Sequence, residues 1–115
     1  MKNLKEETLL CLERHNKTKD DIKWIGCSEF KIPIGLFWKL ADHLYDESYG
    51  AEEVATDLLI VGDNWWLERS SYDGAEWWSF KTLPEEPKKR KIIPTLFPYL
   101  DEDENKGIYY LSDYN

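Results

Sequence analysis

The sequence has little cysteine, no long apolar run and no apolar leader, and each shortage excludes a class of protein. Two cysteines are too few for the disulfide scaffold of a small secreted domain. No apolar stretch approaches the roughly 18 residues of a membrane span, and the charged N-terminus differs from a secretion signal. The sequence therefore predicts a protein of the reducing cytoplasm that has no membrane partner.

Positive charge is nearly missing from the middle of the chain. Residues 42–76 hold ten acidic side chains and a single basic one, Arg69, so this stretch carries nearly all of the net charge of −8. A field of this sign repels nucleic-acid phosphates and attracts basic surfaces. We therefore expect no direct binding to nucleic acid, and a nucleic-acid-binding host protein as partner. The alternative is a solvated acidic face that only maintains solubility.

Length and patterning predict one domain of the α+β class over residues 1–115. Capping residues and apolar spacing predict a helix over residues 3–16 and a second helix over residues 34–46. An alternating stretch predicts a strand over residues 23–32. The expected architecture is two helices packed on a small antiparallel sheet, which consists of a three-stranded meander and one or two further strands.

The meander is predicted from the stretch WWLERSSYDGAEWW at residues 65–78, which holds four of the six tryptophans. Asp73-Gly74 is the strongest short-range hairpin signal in the chain, because a type I′ turn needs positive φ at both central residues. Asp63-Asn64 is interpreted as another two-residue turn, which joins the hairpin to the apolar run DLLIV at residues 57–61.

The turns also predict the register, which sorts the meander residues onto two faces. The first face contains Leu58, Ile60, Trp65, Leu67, Arg69, Trp78 and Phe80. The second face contains Leu59, Val61, Trp66, Glu68, Ser70, Tyr72, Trp77 and Lys81. We assign the first face to the core beneath the helix at residues 34–46, and we expect the Arg69 guanidinium to stack on Trp78 across the strand pair.

The second face is the candidate functional surface, because large aromatic residues lie there among acidic ones. Tryptophan and tyrosine are favoured anchors at protein interfaces. The predicted partner-binding residues are Asp63, Trp66, Glu68, Tyr72, Asp73, Glu76 and Trp77. Two other readings stay open, because residues 92–111 of the same chain could cover this face, or a second copy in a homodimer could do so.

The C-terminal part of the sequence has a different texture. Prolines at positions 84, 87, 94 and 98 predict a Pro-rich irregular segment over residues 83–98. The apolar residues between positions 92 and 100 predict that the chain packs back across the sheet. Residues 108–114, IYYLSDY, are interpreted as a last strand.

A metal site is the one chemical hypothesis that the residue types suggest. Two thiols and two imidazoles form a normal tetrahedral zinc set, and Cys11 and His15 are four residues apart on the first predicted helix. Cys27 on the predicted strand and His43 on the second predicted helix would complete the set if packing brings them together. The spacing matches no zinc finger, and a free cysteine usually packs as a small apolar side chain. No cofactor is expected, and structural zinc is the alternative. Since no complete catalytic set or phosphate-binding loop is present, the sequence predicts a non-catalytic protein.

The stretch DNWWLER…YDGAEWW at residues 63–78 resembles small acidic proteins encoded by phages and prophages of Gram-positive bacteria. The similarity extends from IKWIG at residues 22–26 through SFKT at residues 79–82. This resemblance implies a phage-type inhibitor or binding protein in the cytoplasm of a bacterial host cell. Such proteins include anti-CRISPR proteins that bind a type II effector nuclease. A homodimeric structural or accessory phage protein and a small zinc-stabilised domain are the alternatives.

Overall fold

Helix α1 (Leu4–Arg14) begins where the sequence predicts its cap. The side chain of Asn3 accepts a hydrogen bond from the backbone N–H of Glu6 at 3.1 Å, which satisfies one of the donors that a helix leaves unpaired at its N-terminus. Thr8 and Leu12 lie on the face of α1 that is fully buried. The apolar spacing in the sequence therefore identifies the buried side of this helix.

The computed structural model describes residues 1–48, 50–97 and 110–114. The elements, in chain order, are β1 (Lys2–Asn3), α1, β2 (Trp24–Gly26), β3 (Lys31–Ile32), α2 (Ile34–Ala41), β4 (Leu44–Tyr45), β5 (Leu59–Val61), β6 (Trp65–Tyr72) and β7 (Ala75–Thr82), with short 3-10 turns at Lys19–Asp21 and Leu111–Asp113. None of the described helices is long and apolar enough to cross a membrane. By its contacts the chain divides into two compact units, Met1–Pro84 and Glu85–Asn115.

The sheet confirms the predicted α+β class and extends the predicted meander. Its strands are antiparallel in the order β3-β2-β5-β6-β7, so five strands are present in the described residues. A separate two-stranded ladder joins β1 to β4. The meander itself is β5-β6-β7, and β2 and β3 supply the two further strands.

The predicted hairpin register is confirmed in every pair. Tyr72 pairs with Ala75 beside the turn, and the ladder continues without a bulge to Trp65, which pairs with Thr82. Asp73 and Gly74 both have positive φ, at 50° and 86°, as a type I′ turn requires. The first face is therefore the buried one, and Leu67 and Ile60 on it have no exposed surface.

Two predicted elements are shorter than the sequence pattern indicates. The strand expected over residues 23–32 is the β2-β3 hairpin, because the N–H of Cys27 donates to the C=O of Phe30 at 2.9 Å and reverses the chain. The helix expected over residues 34–46 ends at Ala41. The residues beyond it leave the helix because Leu44 and Tyr45 pair with β1 instead.

Both helices cover the first face, whereas the sequence assigned this role to the second helix alone. The indole N–H of Trp78 donates to the hydroxyl of Thr8 on α1 at 2.9 Å, and the ring of His15 stacks on Phe80 with a centroid distance of 4.0 Å. Helix α2 places Phe37 in the same core. Helix α1 therefore packs on β7, whereas α2 packs on β2.

The C-terminal unit is irregular where it is described. Residues 83–97 form no helix or strand, and residues 111–113 form a 3-10 turn where the sequence predicts a strand. The hydroxyl of Tyr114 donates to the C=O of Thr95 at 3.1 Å within this unit. The predicted packing of residues 92–111 against the sheet falls largely on residues 98–109, which lie outside the described residues, and it stays a prediction.

Candidate functional site

The acidic segment of the sequence folds against the hairpin turn. The backbone N–H of Glu76 donates to the C=O of Glu47 at 2.9 Å, and the hydroxyl of Ser71 donates to the carboxylate of Glu52 at 2.7 Å. The backbone of Ser48 and Gly50 lies beside Gly74. Residues 46–48 and 50–57 and the hairpin end at residues 71–76 therefore form one end of the sheet, which we call the acidic tip.

Glu76 holds this loop in place from inside the protein. Its carboxylate accepts hydrogen bonds from the backbone N–H groups of Glu53, at 2.8 Å, and Val54, at 3.2 Å. The same carboxylate pairs with Arg69 at 3.1 Å, and Glu76 is only 4% exposed. The sequence-based assignment of Glu76 to the partner-binding surface is therefore corrected. Glu76 pairs with Ser71 in the ladder, and this register places its side chain on the first face with Arg69.

Arg69 is the centre of a buried polar cluster. Its side chain is 3% exposed and lies between the carboxylates of Glu76 and Glu7, the second at 3.5 Å. The guanidinium also donates to the hydroxyl of Tyr45 at 3.1 Å and lies 4.8 Å from the centre of the Trp78 ring, which confirms the predicted stacking. The only basic side chain of residues 42–76 is therefore neutralised within the protein and contributes nothing to the charge of the surface.

Tyr45 is the fourth member of this cluster, and the cluster changes its pKa. Its hydroxyl donates to the carboxylate of Glu7. Burial and this hydrogen bond raise the pKa of Tyr45 well above its ordinary value, since both favour the neutral phenol. Two carboxylates, one guanidinium and one phenol are thus paired beneath α1, while Nε and Nη1 of Arg69 are buried with no hydrogen-bond partner among the described residues.

The surface of the acidic tip is left with exposed carboxylates and one exposed aromatic ring. Tyr72 is 78% exposed. The exposed carboxylates of the tip are Glu52, Glu53, Asp57 and Asp73. The hydrogen bond from Ser71 lowers the pKa of Glu52, so this carboxylate is charged even in mildly acidic solution. Exposed carboxylates and an exposed tyrosine at one end of the sheet can bind a basic surface, with the ring as an apolar and hydrogen-bonding anchor.

The remaining predicted residues lie away from the tip. Asp63 occupies the turn at the other end of β6, where it pairs with Lys23 at 3.3 Å. The indole N–H of Trp66 donates to the carboxylate of Glu68 at 2.7 Å on the second face, and both side chains are half-buried. Trp77 lies at the edge of this face and is 38% exposed. The seven predicted residues therefore do not form one continuous site.

The four predicted zinc ligands occupy different environments. The ring of His15 stacks on Phe80, Cys27 lies at the β2-β3 turn, and His43 is exposed between α2 and β4. Burial, with the nearby charge of Glu7, raises the pKa of the Cys11 thiol and favours its neutral form. Among the described residues no three His, Cys, Asp or Glu side chains are placed to hold one metal ion. Zinc binding stays a prediction, which the metal content of protein purified without added zinc, beside a Cys11→Ser variant, will test.

Sequence reasoning missed the loop at residues 46–48 and 50–57 as a partner of the hairpin, and with it the buried role of Glu76. One signal was available, because a lone arginine among ten acidic residues on an otherwise apolar face requires buried carboxylates to balance it. No protein-family model, curated protein or solved structure matches the chain. The resemblance to phage proteins therefore stays a prediction.

Proposed function

We propose that this protein is a non-catalytic inhibitor or binding protein whose acidic tip engages a basic surface of a nucleic-acid-handling protein. The observation that carries the proposal is the folding of the acidic loop against the hairpin turn. It brings the exposed carboxylates of Glu52 and Glu53 to the hairpin end that carries Asp73 and the exposed ring of Tyr72. Arg69, the only basic side chain of residues 42–76, is buried between two glutamates.

The mechanism is competition for a phosphate-binding surface. Carboxylates at the tip occupy positions that nucleic-acid phosphates take on the partner, and the lysines and arginines of the partner pair with them. Tyr72 supplies the central anchor that a charged rim lacks. Electrostatic steering makes association fast and sensitive to salt, because the field of the tip extends about 10 Å at 0.1 M ionic strength.

The finer form of the proposal follows from the resemblance at residues 63–78. It names a type II CRISPR effector nuclease of a bacterial host as the partner, and makes the protein an anti-CRISPR protein in the host cytoplasm. The groove for the target DNA in such a nuclease is strongly basic. An acidic tip with an aromatic anchor is complementary to such a groove.

Capture from a bacterial lysate that contains type II CRISPR machinery tests the proposal. The test variant carries Glu52→Lys and Glu53→Lys, and the matched control carries Glu85→Lys and Glu86→Lys, which changes the net charge equally at exposed glutamates outside the tip. We expect the wild type and the control to retain the same basic partner, identified by mass spectrometry, and the tip variant to lose it. Tyr72→Ala weakens the same complex about tenfold or more.

Binding of the purified effector nuclease, with inhibition of its DNA cleavage, decides the finer form. If the captured partner is another basic protein, the binding function stands and the anti-CRISPR assignment is wrong. Retention of the same partner by the tip variant at wild-type strength would contradict the binding function itself, as would a complex that is indifferent to salt.

A further inference from the structure

Strand β7 forms an edge of the sheet in the described part of the chain. In a two-residue hairpin the residues beside the turn exchange both backbone hydrogen bonds, and the direction of these groups alternates along the strand. The backbone groups of Trp78 and Phe80 therefore point away from β6. Glu76 has the same orientation, and its N–H indeed donates outward, to Glu47 at 2.9 Å. The edge beyond Glu76 is a template for another strand.

A groove of about 610 Å³ lies along this edge. Trp77 and Trp78 are the residues of β7 that line it, and the facing wall is a stripe of α1 that includes Glu6, Leu10 and Arg14. The β1-β4 ladder also contributes to the lining, through Lys2, Asn3 and Leu44. Leu10 is 47% exposed although it is a large apolar residue. Helix α1 runs along β7 in this region, because Thr8 contacts Trp78 and His15 contacts Phe80. Leu10 therefore lies beside the middle of the strand.

The side chains of β7 are complementary to those of a second β7 that runs antiparallel to it. An antiparallel second copy with Ser79 opposite Ser79 places Trp78 opposite Phe80, and Trp77 opposite Lys81, twice each. An aromatic pair and a cation over an indole ring are favourable cross-strand neighbours. The outward backbone groups of Trp78 and Phe80 then pair with each other between the copies.

Helix α1 is complementary to α1 of the second copy about the same two-fold axis. Glu6 and Arg14 lie four residues to either side of Leu10, on one stripe of α1. Two antiparallel α1 helices that meet at Leu10 bring Glu6 of each copy to Arg14 of the other. Both layers therefore satisfy the requirement of an isologous interface, in which residue i meets residue j and residue j meets residue i.

We propose that a second copy of this chain docks in the groove and pairs its β7 with this β7, so that the two sheets become one. The interface buries Leu10 and the aromatic edge and uses charges that the monomer leaves on the rim of the groove. This proposal is independent of the function assigned to the acidic tip. Because the strands are antiparallel, the two hairpin turns point to opposite ends of the dimer.

Sedimentation velocity of the full chain across a wide range of concentration tests the dimer. We expect reversible doubling of the mass in the wild type and a monomer for Leu10→Lys, which places two like charges at the two-fold axis. Arg14→Glu and Glu6→Arg each raise the dimer Kd about tenfold, since each creates two repulsive pairs. The double swap, with both substitutions, restores the pairing and returns the Kd to near the wild-type value. Glu13→Arg, on α1 outside the groove, leaves it unchanged.

Hydrogen exchange tests the strand pairing separately from the helix contact. The amides of Trp78 and Phe80 exchange slowly in the wild-type dimer and faster in the Leu10→Lys monomer. A wild-type monomer at every concentration overturns the proposal, as does a dimer that persists in Leu10→Lys or that the double swap does not rescue. The Leu10→Lys variant keeps the acidic tip, so its binding to a basic partner distinguishes failure of the dimer from failure of the proposed function.

Discussion

Glu76 illustrates how one residue can look like part of a binding surface and belong to the interior. In the sequence it follows an exposed turn and precedes two tryptophans. In the fold its carboxylate accepts from two backbone N–H groups and from Arg69. The carboxylate of Glu76, which the sequence assigns to a partner, holds the acidic loop instead. The loop in turn places other carboxylates on the surface.

Replacement of Glu76 is expected to destabilise the protein strongly. Glu76→Ala leaves the guanidinium of Arg69 with one carboxylate instead of two and removes the acceptor of two N–H groups, so we expect a loss of about 3–5 kcal/mol in the free energy of unfolding. Urea denaturation measures this loss. Glu29→Ala, the same change at an exposed glutamate, alters stability by less than about 0.5 kcal/mol. Equal effects of the two variants would mean that the buried pairing contributes no net stability.

Tyr45 predicts a loss of stability in alkaline solution. The pKa of Tyr45 is raised in the folded protein, so its phenol stays protonated to a higher pH than the tyrosines of the unfolded chain, which titrate at a pH of about 10. The stability that the neutral phenol of Tyr45 contributes is therefore complete below this pH. It is lost progressively as the pH rises above this value. We expect the urea midpoint to fall less steeply with alkaline pH in Tyr45→Phe than in the wild type. Tyr72→Phe, at an exposed ring, should keep the wild-type slope, and the same slope in all three proteins would contradict the prediction.

At the scale of elements, the Asp73-Gly74 turn decides its two strands more firmly than apolar spacing decides the end of α2. The Asp73-Gly74 turn specifies the whole ladder of β6 and β7, because a two-residue loop leaves one register. The end of α2 is decided by a different force. Residues 42–46 continue the helical apolar spacing, yet Leu44 and Tyr45 form a ladder with the start of the chain, and Tyr45 reaches the buried cluster.

Two glycines in different elements predict changes of opposite sign. A Cβ on Gly62 would lie 2.1 Å from the Trp65 ring, whereas a Cβ on Gly35 in α2 meets nothing within 4 Å. Gly62→Ala should therefore destabilise the protein by about 2–3 kcal/mol through overpacking. Gly35→Ala should stabilise it by about 0.4–1 kcal/mol, because alanine loses less backbone entropy in a helix. Thermal and urea unfolding measure both, and a stable Gly62→Ala variant would show that the Trp65 ring can move aside.

At the scale of the whole molecule, the core belongs to the first compact unit. Among the described residues, every member of the buried cluster and every apolar residue packed against it lies between Leu4 and Phe80. Unit Met1–Pro84 thus contains two helices, both sheets and the buried ion pairs.

A chain that ends at Pro84 is therefore expected to fold by itself. It should show the same cooperative urea transition and near-ultraviolet circular dichroism of packed tryptophans that we expect of the full chain. A broad transition, or loss of the near-ultraviolet signal, would mean that residues 85–115 complete the core. Binding by this shortened chain would also show whether the acidic tip suffices for the proposed function.

The sequence by itself determined the α+β class, the α1 cap, both turns of the meander and the division of its residues into two faces. These features depend on neighbours in the chain, such as the positive φ of Asp73 and the spacing of Thr8 and Leu12. Only the tertiary structure decided that the acidic loop lies on the hairpin turn, that the backbone of this loop binds the carboxylate of Glu76 and that Leu10 borders a groove. These outcomes depend on contacts between distant residues, in which a single buried arginine attracts carboxylates from α1 and from β7, and no local pattern encodes that choice.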